Sequence, residues 1–241
     1  MIPLHDDNPT KTVPLVTVTI IIAATLIFFY QISLGQEGGQ LFVYQYGAIP
    51  AAVFGYESLP REAMAIPTSF TLITSMFLHG GFMHLIGNML YLWIFGNNIE
   101  DVMGHVRFIV FYLVCGVAAA MSHALTAPDS VVPMIGASGA ISGVLGAYLL
   151  LYPRAHVLVL IPLGLFTRLV YIPAGFVLGF WFVLQLISVT ASAGSGGGGV
   201  AWFAHIGGFV AGMLLIGLFK HRSVRFFNPS PRRPSRYDSS W

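Results

Sequence analysis

Long apolar runs separated by short polar segments dominate the chain. A helix needs about 20 mostly apolar residues to cross a bilayer, and six segments meet or approach that length. They lie at about 13–34, 82–95 (with part of 69–78), 105–125, 137–152, 169–189 and 200–220. The pattern predicts an all-α polytopic membrane protein in which six transmembrane helices form a bundle.

The pattern also divides the chain into three parts. Residues 1–12 form a polar N-terminus, 13–220 the membrane domain, and 221–241 a tail rich in Pro, Ser and Arg that we expect to be disordered. The first apolar run is too long for the core of a signal peptide, so we expect it to be retained. The run 156–166, interrupted by Pro162 and Gly164, is interpreted as a connection or as the start of the fifth span.

The second and fourth predicted helices are short and rich in glycine. This composition favours helices buried inside the bundle over helices that face lipid.

Composition excludes a soluble globular protein. Charged residues make up 8% of the chain and hydrophobic residues 56%, whereas about a quarter of the residues in soluble domains are charged. A net charge of +2 is too small and too scattered to indicate nucleic-acid binding. The lone cysteine, Cys115, cannot form an intramolecular disulfide and is expected to fill space in the core.

The basic residues predict the orientation. In the six-span arrangement, ten of the eleven Lys and Arg residues fall on the side that holds both termini, and Arg61 alone falls on the other. Cytoplasmic loops carry the excess of Lys and Arg, so both termini are expected in the cytoplasm. We expect a multi-pass protein of the plasma (inner) membrane of a prokaryote.

Polar side chains inside spans mark functional candidates, because hydrocarbon cannot solvate them. His84 and Asn88 are four residues apart and share a face of the second helix, whereas Ser138 opens the fourth and His205 lies early in the sixth. These three spans all run from outside to inside, so the four residues are expected at a similar depth in the outer part of the membrane.

Small residues at four-residue spacing predict close packing between the fourth and sixth helices. The two stripes are Gly139, Gly143 and Ala147, and Ala204, Gly208 and Gly212. A hydrogen bond between Ser138 and His205 can form across this seam. A serine hydroxyl needs a base to become a good nucleophile, and no acidic residue lies at that depth, so a Ser–His dyad is predicted rather than a triad.

The same residues can supply donors for an oxyanion. The turn Gly136-Ala137-Ser138-Gly139 can present the Ser138 backbone N–H at a helix N-terminus, and His84 and Asn88 can donate from the second helix.

Other functions remain open at this point. A metal site formed by His79, His84 and His205 would lack carboxylate or cysteine ligands, so neither a metal nor another cofactor is predicted. A non-catalytic protein that binds client transmembrane helices would tolerate the loss of Ser138. A channel or transporter would need polar groups through both leaflets, whereas these cluster near one face.

The motifs together resemble the rhomboid proteases. They are His84-xxx-Asn88, Gly136-Ala137-Ser138-Gly139, Ala204-His205-xx-Gly208, and the stretch 97–108 that follows the second span. The resemblance extends over residues 68–215 and implies an intramembrane serine endopeptidase with Ser138 as nucleophile and His205 as base. His84, Asn88, Gly136 and Ala137 would form the oxyanion and substrate-binding site.

The resemblance also implies partners and marks two departures. Substrates would be single-span membrane proteins cut in or near their outer membrane portion, with the loop 191–199 covering the site and the fifth span a candidate gate. Some rhomboids have an aromatic residue four positions after the nucleophile, packed on the base, whereas this chain has Ser142. The first outer loop also lacks the Trp-Arg pair found in some members.

Overall fold

The computed structural model describes residues 1–57, 60–63, 65–163, 166–192 and 202–228. Ten α-helices lie in these ranges: α1 Leu15–Ser33, α2 Gly35–Tyr46, α3 Pro50–Val53, α4 Thr68–Thr74, α5 Phe82–Tyr91, α6 Asn97–Met103, α7 His105–Ala124, α8 Ser138–Leu151, α9 Ala174–Ser192 and α10 Trp202–Phe219. Short 3-10 turns occupy Arg61–Ala63 and Ser75–Phe77, and a π-helical turn at Leu92–Gly96 joins α5 to α6.

Three helices in the described part of the chain are long and apolar enough to cross a membrane: α1, α7 and α10. The pair Thr68–Phe77 and Phe82–Met103, bent by 84°, would count as a fourth span if taken together. The predicted count of six is therefore not confirmed. A helix of 14 residues such as α8 is about 21 Å long, which is shorter than the hydrocarbon core.

α8 is the central helix. Every residue from Gly139 to Tyr148 is buried, and α7, α9 and α10 pack around it. This confirms the predicted burial of the fourth helix. The second helix differs, since α5 leaves Phe82, Met83 and Ile86 exposed.

A small antiparallel sheet corrects the all-α prediction. β1 (Ile2–Asp6), β2 (His156–Leu163) and β3 (Phe166–Pro173) are ordered β1-β2-β3. Ile2 pairs with Leu160, and His156 pairs with Pro173. Within the run 156–166, β2 therefore covers His156–Leu163 and β3 begins at Phe166, and the fifth helix starts at Ala174 rather than at 169.

The physical reason for the sheet is the alternation of side chains along β2. Val157 and Val159 are fully buried, as expected for β-branched residues on one face of a strand. β1 pairs with β2 although it comes from the N-terminus, about 150 residues away in sequence. No local pattern could predict this pairing.

Two carboxylates tie the N-terminal segment to α6. Glu100 is fully buried and accepts hydrogen bonds from the backbone N–H groups of Val16 (2.9 Å) and Thr17 (2.8 Å) in the first turn of α1. Asp101 accepts from the N–H groups of Lys11 and Thr12 at 3.1 and 2.9 Å. Glu100 thus binds N–H groups of the first helical turn, which have no partner within the helix, and Asp101 binds N–H groups of the segment just before it.

The first part of the predicted disordered tail is ordered. The His221 N–H donates to the Val102 carbonyl, and the Asn228 N–H donates to the Leu151 carbonyl, both at 2.8 Å. These bonds fix residues 221–228 against α6 and α8, which corrects the disorder prediction for them. Residues 193–201, which include most of the predicted Gly-rich loop 191–199, and residues 229–241 lie outside the described residues.

Candidate active site

Ser138 is the first residue of α8 and is half-buried. The chain reaches it through Gly136, whose φ of 123° only glycine adopts readily. A Cβ at Gly136 would lie 2.7 Å from His84 Cε1 and Nε2. The glycine therefore allows both the turn into α8 and the approach of α5.

His205 lies in the first turns of α10 and is 8% exposed. Its Nε2 is 2.8 Å from Ser138 Oγ, a hydrogen-bond distance. Of the six predicted site residues, these two therefore meet directly, as the close packing of small residues led us to expect.

The seam between α8 and α10 is packed backbone to backbone. A Cβ at Gly143 would lie 3.2 Å from the Gly208 carbonyl oxygen, and one at Gly212 would lie 2.6 Å from Gly143 Cα. Real Cβ atoms essentially never come within 3.0 Å of another atom, so Gly212 must be glycine at the observed helix separation, and a side chain at Gly143 would be tight against α10. The predicted stripes are confirmed as the scaffold that brings Ser138 to His205.

α5 supplies the opposite wall of the site. Asn88 is buried, and its Nδ2 has no hydrogen-bond partner among the described residues. A Cβ at Gly136 would lie 3.7 Å from this nitrogen, so the amide faces the turn that precedes Ser138. A buried donor without an acceptor is costly and marks a position where a ligand atom could accept.

His84 also faces this turn. Its Nδ1 accepts a 3.3 Å hydrogen bond from the Gly80 N–H, so the neutral ring carries its proton on Nε2. Nε2 and Cε1 are the two ring atoms nearest to the position of a Cβ at Gly136. The Gly136 N–H itself donates to the Ser75 carbonyl at 2.9 Å, so Gly136 shapes the turn but offers no donor, and Ala137 is fully buried as the residue before α8.

His79 stacks edge-on against His84, with ring centroids 5.1 Å apart. Within the described ranges, no three His, Cys, Asp or Glu side chains are arranged to hold a metal ion.

The packing around the base differs from that expected from the resemblance. Ser142 is buried and donates to the Ser138 carbonyl at 2.6 Å, so it does not pack on His205. Two tryptophans do so instead: Trp181 of α9 and Trp202 of α10 have ring centroids 5.9 and 6.0 Å from that of His205.

Sequence reasoning missed Gln185 on α9. Its Oε1 is 2.8 Å from His205 Nδ1, and both side chains are buried. An amide within an otherwise apolar helix was the available signal, by the same argument that selected Asn88.

Comparison with known proteins places these features in a family. The rhomboid domain model matches residues 67–222, well over half of the chain. The chain belongs to the rhomboid family. Mitochondrial rhomboid protein 1 of Saccharomyces cerevisiae is 30% identical over 189 residues, which is 71% of this chain and 51% of that protein. The rhomboid protease GluP of Bacillus subtilis is 41% identical over 78 residues, covering 32% of this chain and 15% of GluP.

The coverage and the names of the relatives limit what can be inferred from the similarity. The present rhomboid spans about half or less of the curated proteins it matches, since 51% of the yeast protein and 30% of RHOMBOID-like protein 5 of Arabidopsis thaliana are covered. Some relatives are named proteases and others only rhomboid-like. One is named as mitochondrial and another is bacterial, so the prediction of a prokaryotic plasma membrane is not supported, whereas an integral membrane protein is.

Proposed function

We propose that this rhomboid is an intramembrane serine endopeptidase that uses a dyad of Ser138 and His205. The observation that carries the proposal is the 2.8 Å contact between Ser138 Oγ and His205 Nε2. It joins the serine to a base whose ring is held from two other helices, as nucleophilic catalysis requires.

The reaction follows from this contact. Ser138 Oγ attacks the carbonyl carbon of the scissile peptide bond while its proton passes to His205 Nε2. The tetrahedral intermediate then expels the amine, which takes the proton back from Nε2, and an ester to Ser138 remains. Water attacks this ester, giving its proton to Nε2, and the carboxylic acid product leaves as Ser138 regains a proton.

The oxyanion of the tetrahedral intermediate would lie near the start of α8. The Ser138 backbone N–H belongs to the first turn, where N–H groups have no partner within the helix. Asn88 Nδ2 is the buried donor without a partner, and His84 Nε2–H points toward the same turn. Donors fixed in advance at the place where negative charge develops are the largest stabilising contribution in such reactions.

Rhomboid proteases act on membrane proteins, and for this member we propose single-span substrates cut near the outer face. Substrate backbone must be unwound before attack, because helical carbonyls are already hydrogen-bonded and shielded. We also retain six spans with both termini in the cytoplasm, supported by the basic residues on that side. α8, with 14 residues, would then be a span that is short for a bilayer.

The test compares wild type with Ser138→Ala, His205→Ala and Asn88→Ala, each purified in detergent. Each protein is incubated with a tagged fluorophosphonate and with a single-span reporter substrate. We expect labelling and cleavage by the wild type, complete loss in the first two variants, and about a 100-fold slower cleavage by Asn88→Ala, the usual cost of one oxyanion donor.

Ser33→Ala and His5→Ala are matched controls, because both residues are exposed and neither is a site residue, and both should behave as wild type. Equal cleavage by all variants would assign the activity to a contaminant. A folded wild type that neither labels nor cuts would refute the proposal in favour of a protein that binds client helices.

A further inference from the structure

Gln185 contacts the base on the side opposite the nucleophile. It lies on α9, is 6% exposed, and places its Oε1 2.8 Å from His205 Nδ1. The two ring nitrogens of His205 thus have different partners, Gln185 at Nδ1 and Ser138 at Nε2. A buried polar pair between two apolar helices has a cost unless its hydrogen bonds are well formed.

The second end of the amide determines its orientation. Gln185 Nε2 donates to the Trp181 carbonyl one turn earlier at 3.3 Å. Reversing the amide would point its NH2 group at His205 and its oxygen at a carbonyl oxygen, which loses one bond and adds a repulsion. The amide oxygen therefore faces His205 and can only accept a hydrogen bond.

This orientation selects one tautomer of the base. Because Oε1 is an acceptor, Nδ1 must carry the ring proton, and the lone pair of the neutral imidazole then lies on Nε2. Nε2 is the atom that faces Ser138 Oγ. The other tautomer would place a proton between Nε2 and the hydroxyl and could not accept the serine proton.

We propose that Gln185 is a positioning residue that holds His205 in the Nδ1–H tautomer and aims its Nε2 at Ser138. This inference rests on the proposed protease function. Gln185 would do for this base what the third residue of a catalytic triad does. A neutral amide suits a membrane interior, where a carboxylate would carry a large desolvation cost. Trp181 and Trp202 both pack against the ring.

The first experiment measures activation of the serine separately from substrate entry. Fluorophosphonate labelling rates, kcat and KM are determined for wild type, Gln185→Leu and Gln185→Glu. Leu removes the acceptor at similar volume, whereas Glu keeps an acceptor oxygen in the same place. Leu186→Ala is the control, since Leu186 is the next residue on the helix and is exposed.

We expect Gln185→Leu to label 10- to 100-fold more slowly, roughly the range for loss of one such bond. Its kcat should fall in proportion while KM stays within about twofold, because the residue acts on the base and not on substrate binding. Gln185→Glu should label faster than Gln185→Leu because it keeps an acceptor for Nδ1, and Leu186→Ala should match wild type. If Gln185 had only a structural role, the Leu variant would yield less folded protein, but this pattern of labelling rates, kcat and KM would not appear.

A labelling rate for folded Gln185→Leu equal to that of wild type would overturn the inference while leaving the protease proposal intact. Absence of labelling in the wild type would instead refute the proposed function itself.

If Gln185→Leu does not fold, a measurement on the wild-type protein still tests the inference. Nitrogen-15 NMR of histidine-labelled protein, with the His205 signal identified by its loss in His205→Ala, reports which ring nitrogen is protonated. Protonation at Nδ1 supports the inference, and protonation at Nε2 overturns it.

Discussion

Replacing Gly208 by alanine would separate the two helices that carry the proposed dyad. Gly208 is buried on α10 one turn after His205 and faces Gly139, the neighbour of Ser138 on α8. An added Cβ would lie 3.0 Å from the Gly139 carbonyl carbon, nearer still to its oxygen, and 3.2 Å from Ala119 Cβ. Carbon atoms pack at about 3.5–4.0 Å, so the backbones must move apart by roughly 1 Å.

That movement acts on the catalytic contact. The separation of Ser138 Oγ and His205 Nε2 would grow from 2.8 Å to about 3.8 Å, beyond hydrogen-bond range. Misplacement by about 1 Å can cost about 100-fold in rate. Overpacking of a close seam also costs about 1–3 kcal/mol of stability. We therefore expect Gly208→Ala to fold, to unfold at a lower temperature, and to label with fluorophosphonate about 100-fold more slowly.

The assay pairs the labelling rate with the thermal unfolding midpoint in the same detergent. Gly217→Ala on the same helix is the control, because a Cβ there would meet only the Phe226 ring at 3.8 Å, an ordinary contact. It should label at the wild-type rate. If Gly208→Ala labels as fast as Gly217→Ala, then close approach of α8 and α10 does not set the geometry of the dyad, and the reasoning fails.

Two further predictions concern two buried carboxylates, Glu100 and Asp6. Glu100→Ala should destabilise the protein by about 3 kcal/mol, because the N–H groups of Val16 and Thr17 lose their buried acceptor. Thermal unfolding should show a smaller loss of stability in Glu100→Gln. Equal losses in the two variants would contradict this explanation. Burial raises the pKa of Asp6 from 3.8 to about 6, although the Tyr148 hydroxyl donates to it and acts in the opposite direction. The folded state then holds a proton that the unfolded state has lost, so the contribution of Asp6 to stability is full below about pH 4 and falls by about 3 kcal/mol as the pH rises through 6. Unfolding midpoints between pH 4 and 7 should show this fall in the wild type and not in Asp6→Asn, and parallel curves would refute it.

Residue types in a membrane setting were enough to find the two central residues. Hydrocarbon gives a polar side chain no solvent, so Ser138, His205, Asn88 and His84 could be selected from sequence, and all four lie at one site. The same reasoning should have selected Gln185, but its helix was interpreted only as an apolar span.

The role of Gly136 could not be read from the sequence in full. Its place before Ser138 indicated a turn, but the engagement of its N–H by Ser75 depends on α4 and α5 lying beside it. The packing of Trp181 on His205 is a similar case, because this residue of α9 is close to the base only once α9 has docked on α10.

The sequence alone determined the membrane class, the helical character and the choice of Ser138 and His205 as candidate residues, because these depend on hydrophobic length, on spacing along one helix and on the cost of polarity in lipid. The tertiary structure decided the sheet, the position of the N-terminal segment and the partner of the base. Each of these depends on pairing between segments distant along the chain, such as Asp6 with Tyr148 and Gln185 with His205. Local periodicity carries no information about which distant segments meet, since that choice is made by the packing of the whole bundle.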